Sequence, residues 1–146
     1  MIDVKIRKVH PDAVIPTYAH PGDAGMDVTA VEREVHDDFI EYDTGLQFEL
    51  PEGYMMLIFP RSSISNKTLS LANSVGVLDS TYRGNLKLRF RREFPVRTES
   101  SSCFKIYEVG DRVGQIIILP YPQINFIISE LKDTERGSGG FGSTGK

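Results

Sequence analysis

The chain reads as an all-β sandwich or barrel, on three observations. Apolar residues recur at every second position in many short stretches, such as Leu46, Phe48 and Leu50, or Leu86, Leu88 and Phe90. Turn-forming clusters such as Pro51-Glu52-Gly53 separate these stretches. No helix-length window sustains an apolar period of 3.6. Short period-two segments divided by turn signals are the pattern of antiparallel sheets packed or closed on one another.

Size and composition narrow the classes. With 146 residues the chain has material for one domain around a single core. Apolar residues at 40 % and charged residues at 25 % suit a globular fold rather than a disordered one. The net charge of −3 gives no polybasic signature, so no direct contact with nucleic acid is expected. An anionic substrate would need local cations or a metal ion. The longest apolar run, Ile116 to Pro120, is too short to span a bilayer, so no membrane partner is expected. Met1 to Lys5 is polar at alternate positions and does not read as a signal peptide. The single cysteine, Cys103, excludes an intrachain disulfide and fits a reducing compartment, hence a cytoplasmic location. His10, His20 and His36 lack ligand spacing, so no zinc site is expected.

The elements follow in chain order. Ile2, Val4 and Ile6 alternate with charged residues and predict a strand. Pro11 to Gly22, with its three prolines, is an irregular crossing loop. Met26, Val28 and Ala30 predict a strand with Asp27 on its polar side. Glu32 to Asp43 predicts a charged hairpin, Leu46 to Leu50 a strand, and Tyr54 to Pro60 a strand ended by proline. Ser62 to Lys67 allows one short helix, with Ser62 or Ser63 as N-cap. Leu69 to Leu78 returns to extended structure and leads into a hairpin whose tip is Asp79. The strand Leu86 to Phe90 follows, then a polar loop from Arg91 to Lys105, a turn at Val109 to Arg112, and apolar strands at Ile116 to Pro120 and Ile124 to Ile128. Arg136 to Lys146 is glycine-rich and polar, cannot bury a core, and should be mobile unless something orders it.

Several stretches could carry chemistry. Gly76 to Gly84 places Asp79 on a turn with an aromatic, Tyr82, shortly after it. Asp79 is either a solvated turn acid or an aimed carboxylate. In Pro60-Arg61-Ser62-Ser63, a guanidinium precedes two hydroxyls at a helix start, which is an anion site or a surface arginine beside a cap. Gln115, after the Gly110-Asp111-Arg112 turn, could bond a phosphate oxygen, a metal-bound water, or backbone. Asp27 could hold a hydrated magnesium ion indirectly or pair with a cation. Asn73 could read a base edge or simply make a turn. The strand face carrying Lys87, Arg89, Arg91 and Arg92 reads as solvated or subunit-facing, and Cys103 as a packing or loop residue. Gly140 to Lys146 has P-loop spacing, but a P-loop sits between a strand and a helix with Ser or Thr after its lysine, and a P-loop is not expected here. The tail reads instead as a lid: its amides and hydroxyls suit phosphate, and Phe141 can stack on a base.

Taken together, these stretches resemble the trimeric dUTPase family (deoxyuridine triphosphate nucleotidohydrolases). The matching segments are Ala24 to Asp27, Pro60 to Ser63, Gly76 to Gly84, Gly110 to Gln115 and Arg136 to Gly145, in the family's order. The resemblance implies a distorted β-barrel or jelly-roll-like domain over 1–135, closed by a lid over 136–146. It implies a homotrimer with shared active sites and Mg²⁺-dependent hydrolysis of dUTP to dUMP and pyrophosphate. That reaction would limit uracil incorporation into DNA and supply dUMP for dTMP synthesis. Asp79 would be the general base. Tyr82 would pack under the deoxyribose, and Asn73 with the backbone around Gly76 would read uracil. Arg61, Ser62, Ser63 and Gln115 would contact phosphates and the metal's water shell, near which Asp27 would lie. Arg136, Ser143 and Thr144 would close on the γ-phosphate, Phe141 would cover the base, and Gly142 is among the substrate-binding positions.

The chain departs from its relatives at a few positions. Thr81 stands where a second acid is frequent, and Asn85 where Glu or Gln is common. Gly114 replaces a frequent alanine and predicts looser packing beside Gln115, and the Arg91 to Lys105 segment is longer than usual. A dCTP deaminase shares the implied fold but would carry a glutamate where Arg89 stands, and it would lack the Phe141 tail. A nucleotide-responsive regulatory protein would keep the same pocket and use the Arg91 to Lys105 segment for a partner.

Overall fold

Alternation along each strand sorts residues into a core face and an outer face, and the sheets assemble from that sorting. The computed structural model describes residues 2–93 and 104–140. In chain order the strands are β1 (Lys5–Lys8), β2 (Met26–Thr29), β3 (Glu32–Val35), β4 (Ile40–Asp43), β5 (Leu46–Glu49), β6 (Tyr54–Phe59), β7 (Leu69–Leu71), β8 (Gly76–Leu78), β9 (Lys87–Arg92) and β10 (Arg112–Pro120). One four-stranded sheet runs β2-β10-β6-β8, a second runs β3-β4-β9-β7, and β1 pairs with β5. All of these pairings are antiparallel. The all-β expectation holds, and the ladders do not close into a ring among the described residues.

The two larger sheets share one core. Val28, Met56, Leu78 and Ile116 from the first meet Ile40, Tyr42, Leu88 and Phe90 from the second, with Leu46 and Phe48 of β5 beside them. Each such side chain contributes about 1.5–3 kcal/mol relative to leaving it in water. Tyr42 stands edge-on to Phe90 at 5.7 Å and to Tyr107 at 6.0 Å, an arrangement that suits aromatic quadrupoles.

The expected β3–β4 hairpin forms, closed by His36 N–H donating to the Phe39 carbonyl at 2.9 Å. The short helix forms as a 3-10 turn over Ser62–Asn66, but its cap is Arg61 and no side chain bonds there. Neither Ser62 nor Ser63 caps it, because both already lie inside the helical turn. Arg91 and Arg92 extend β9 rather than opening a loop. Residues 94–103 of that expected loop, with Cys103, lie outside the described residues.

Three further expectations change. The segment around Asp79 is not a hairpin tip: β8 pairs with β6 in the first sheet, while β9 pairs with β4 and β7 in the second. The turn therefore carries the chain from one sheet to the other. The stretch Ile124 to Ile128 forms no strand, since among the described residues no strand pairs with it, and its side chains stand in solvent. Gly114 does not loosen β10. A Cβ there would collide with the Leu88 side chain and lie 3.1 Å from the Phe59 carbonyl oxygen. A bulge between Arg112 and Gly114 turns Val113 into the core and lets Arg112 emerge at the surface. Among the described residues, no helix is long and apolar enough to cross a membrane.

Candidate active site

The crossing between the sheets is held at both ends. Leu78 is buried at the end of β8. Beyond the turn, Leu86 N–H donates to the Leu46 carbonyl at 2.8 Å, and the Leu86 carbonyl accepts from Thr44 N–H at 3.1 Å and Thr44 Oγ1 at 2.8 Å. Between these anchors, Tyr82 N–H donates to the Asp79 carbonyl at 3.1 Å and closes a four-residue turn. Arg83 stiffens it by donating to the Ser80 carbonyl at 2.6 Å. Asp79 therefore sits on a defined backbone. Its carboxylate is exposed and makes no hydrogen bond or ion pair among the described residues.

A cleft of about 460 Å³ opens beside this turn. Asn73, Gly76, Asp79 and Tyr82, all singled out from the sequence, line it together. Gly76 is pinned against Ile58, where an added Cβ would come within 2.9 Å of the side chain and 3.3 Å of Asn73 Nδ2. Tyr82 is half-exposed, with its hydroxyl donating to the Asn85 carbonyl at 3.2 Å.

The far wall of the cleft is charged, which the sequence reading missed. Lys87 and Arg89 line it, and beneath them lies Glu41, only 6 % exposed. Glu41 Oε1 accepts from Lys87 at 2.6 Å and Oε2 from Arg89 at 2.7 Å. Burial by itself would raise the Glu41 carboxyl pKa; the two cations outweigh it and hold the group below its ordinary value. Lys87 is raised in turn, first by its bond to Glu41. Asn85 bridges the same floor, donating to Asp43 Oδ2 at 2.9 Å and accepting from Gln47 Nε2 at 2.8 Å. The basic strand face is therefore the lid of a buried acid pair. Only the β4–β9 register, Glu41 opposite Arg89 and Asp43 opposite Lys87, reveals it.

A second cluster lies on the outer face at the end of the first sheet. The β2–β10–β6 register puts Asp27, Gln115 and Phe59 in one row. Asp27 Oδ1 accepts from Arg61 Nε at 2.8 Å and Oδ2 from Arg112 NH1 at 3.1 Å. One carboxylate between two guanidinium groups leaves local positive charge for an anion. Arg61 NH1 also donates to Ser63 Oγ at 3.3 Å. Gln115 Nε2 donates to the Pro60 carbonyl at 3.0 Å, and its Oε1 turns toward Gly25. Ser62 opens the 3-10 turn, its carbonyl accepting from Ser65 Oγ at 3.0 Å. The part of Arg112, which the bulge aims at Asp27, was not legible in the sequence.

The donor set sets a limit on metal binding. Among the described residues, no group of three or more His, Cys, Asp or Glu could hold an ion directly. Asp27 and Gln115 fit only a magnesium ion that keeps its waters, as Mg²⁺ commonly does beside phosphates.

The two clusters do not merge within one chain. Asp27, Arg61, Ser62, Ser63 and Gln115 are not part of the cleft lining. Arg136 is exposed and, among the described residues, donates within its own turn, to the Gly139 carbonyl at 3.0 Å. Phe141, Gly142, Ser143 and Thr144 lie outside the described residues.

Comparison with known proteins adds the following. A family model described as dUTPase matches residues 11–145. The deoxyuridine 5'-triphosphate nucleotidohydrolase of Thermobifida fusca is 37 % identical over 148 residues, covering 99 % of this chain and 79 % of that protein. The enzyme of the same name from Clostridioides difficile is 37 % identical over 149 residues, covering 99 % of each. Among solved structures, the Staphylococcus bacteriophage 80alpha dUTPase with dUPNHPP superimposes with a TM-score of 0.77 at 25 % identity, over the whole of both chains. A dUTPase mutant from phage phi11 of S. aureus, described for its coordination of a structural Mg(II) ion, has the same fold with a TM-score of 0.70 at 22 % identity, over 92 % of this chain and 99 % of that one.

Proposed function

The chain belongs to the dUTPase family, and from that premise we propose that it hydrolyses dUTP to dUMP and pyrophosphate at a site completed by other copies of itself. The observation that carries the reading is Asp79: a carboxylate with no partner among the described residues, on a clamped turn in one cleft with Tyr82, Asn73 and Gly76. Asp79 accepts a proton from a water molecule as its oxygen attacks the α-phosphorus. The bond from that phosphorus to the bridging oxygen of the β-phosphate breaks, and pyrophosphate leaves with the electron pair. A positioned base of this kind typically contributes about a hundred- to ten-thousand-fold in rate. Tyr82 lies under the deoxyribose, where a 2′-hydroxyl would meet its ring. Asn73 and the backbone at Gly76 bond the uracil edge.

Arg61, Ser62 and Ser63 bind phosphate oxygens, with Asp27 holding Arg61 in place. Asp27 and Gln115 would hold a hydrated Mg²⁺ through its waters, and such an ion would supply charge neutralisation for the triphosphate. The segment 136–146 serves the 1–135 domain as a lid, with Arg136, Gly142, Ser143 and Thr144 on the γ-phosphate and Phe141 over the base. The separation of the cleft from the Arg61 cluster supports a homotrimer with shared sites. So does the apolar arm: Ile124 is 70 % exposed, Phe126 86 %, Ile127 81 % and Leu131 92 %. A second copy of the chain is the surface that would cover them. The reading places the enzyme in the cytoplasm, where a lone cysteine stays reduced.

A nucleotide panel tests it. With Mg²⁺, the protein should release pyrophosphate from dUTP and far less from dCTP, dTTP or UTP. Ammonia released from dCTP, or no turnover of dUTP, would overturn the reading. Deaminase chemistry is not favoured, since Arg89 is tied to Glu41 where that chemistry would put a glutamate.

A further inference from the structure

Tyr107 enters the core just before β10 and is 2 % exposed. Its ring lies edge-on to Tyr42 and 5.6 Å from Phe90, and the Lys67 ammonium sits 4.6 Å from its centroid. Packing explains the ring, and a phenylalanine would pack as well. It does not explain the hydroxyl, which is buried with no hydrogen-bond partner among the described residues. Leaving such a group unpaired is costly, so the hydroxyl is a ready donor to an acceptor beside it. Ser63 and Arg61 are near enough to act on the hydroxyl. Burial raises its pKa, and the Ser63 hydroxyl and the Arg61 charge temper that rise.

We propose that Tyr107 is a positioning residue of the phosphate site, its hydroxyl donating to Ser63 Oγ when a triphosphate seats and so turning the Ser63 proton outward. A serine hydroxyl has one proton and two acceptor lone pairs. Arg61 NH1 already donates to Ser63 Oγ at 3.3 Å. With Tyr107 donating as well, both lone pairs are occupied, and Ser63 can only donate. A phosphate oxygen accepts that proton, whereas a metal-bound water, which presents hydrogens, does not. Ser63 is thereby committed to the anion rather than to the ion's water shell. The inference rests on the reading of Arg61 and Ser63 as phosphate contacts.

The test compares Tyr107→Phe, Ser63→Ala, the double variant and Arg61→Ala in the full-length protein. Binding of α,β-imido-dUTP is measured by titration calorimetry, alongside dUTP turnover and Tm. Tyr107→Phe should weaken analogue binding and raise KM about three- to ten-fold, the range expected for one hydrogen bond in a charged network. Little change in kcat is expected, because the contact is made before and during the reaction alike. Tm should stay level or rise, since the ring packing remains and an unpaired hydroxyl is gone. In the Ser63→Ala background, Tyr107→Phe should add nothing, because it acts through Ser63. An unchanged KM, a full additive effect on Ser63→Ala, or losses that merely track a fall in Tm would each overturn the proposal. Arg61→Ala separates the two levels. If it binds the analogue like the parent, the phosphate-site reading falls and Tyr107 with it; if it weakens binding while Tyr107→Phe does not, only the role of Tyr107 falls.

Discussion

The Asp79 carboxylate makes no bond of its own among the described residues, yet the backbone beneath it is fixed by the Tyr82 N–H and by the buried ends at Leu78 and Leu86. A group held this way can be aimed without being neutralised, which a base requires. Asp79→Asn keeps the shape and loses the proton acceptor. It should bind α,β-imido-dUTP about as well as the parent while turnover falls about a hundred- to ten-thousand-fold in single-turnover assays. An active variant would remove Asp79 from the role of base. At this scale the sequence was informative: the spacing of Asp79, Tyr82 and Gly84 marked a turn carrying an acid and an aromatic. It left Asp27 open to a hydrated ion or a cation and did not say which cations, because its partners Arg61 and Arg112 lie 34 and 85 positions away. No local pattern encodes a bond across that span.

At the scale of elements, β4 and β9 show what register adds to alternation. The outward residues of each strand read as solvated charge. Paired antiparallel, they stack Glu41 on Arg89 and Asp43 on Lys87, and the acids become buried. Glu41→Gln would leave Lys87 and Arg89 side by side without the charge of the carboxylate and with one acceptor oxygen in place of two. Breaking a fully buried pair costs about 3–5 kcal/mol. The Lys87 and Arg89 side chains are 43 % and 59 % exposed, so solvent screening should reduce the loss to about 1–2 kcal/mol at neutral pH, read by urea denaturation. The pH dependence has a definite sign. Glu41 has a folded pKa below its ordinary 4.5, so its contribution is present above that value and is lost as pH falls through the folded one. The parent's stability should drop more steeply below pH 4.5 than that of Glu41→Gln; parallel curves would show that the cluster contributes nothing. The misread hairpin belongs to the same scale. A turn between two strands looks alike in sequence whether the strands pair with each other or join different sheets.

The whole molecule leaves an arm, 121–135, without regular structure and with its apolar side chains in water. Exposed patches of that kind mark association surfaces. Light scattering should find a trimer for the parent protein. Serine at both Phe126 and Ile128 should reduce the mass to that of a monomer and abolish dUTP turnover, with the β-sheet circular dichroism retained. A parent that is monomeric yet fully active would refute shared sites. The strand expected at Ile124 to Ile128 was a fair reading of apolar composition, but a strand needs a neighbour, and the described residues provide none.

By itself the sequence determined the local chemistry of this protein. It set period-two strands, the breaks between them, an acid and a tyrosine on one turn, and arginine with hydroxyls on another. Those features depend on neighbouring residues and on the geometry of one peptide unit after the next. Tertiary structure alone decided which strands meet. From that came the burial of Glu41 and Asp43, the grip of two arginines on Asp27, the tight seat of Gly114 and the burial of the Tyr107 hydroxyl. The physical reason is that pairing and burial are settled by packing across the shared core, between residues far apart in the chain, and any one strand is compatible with several partners.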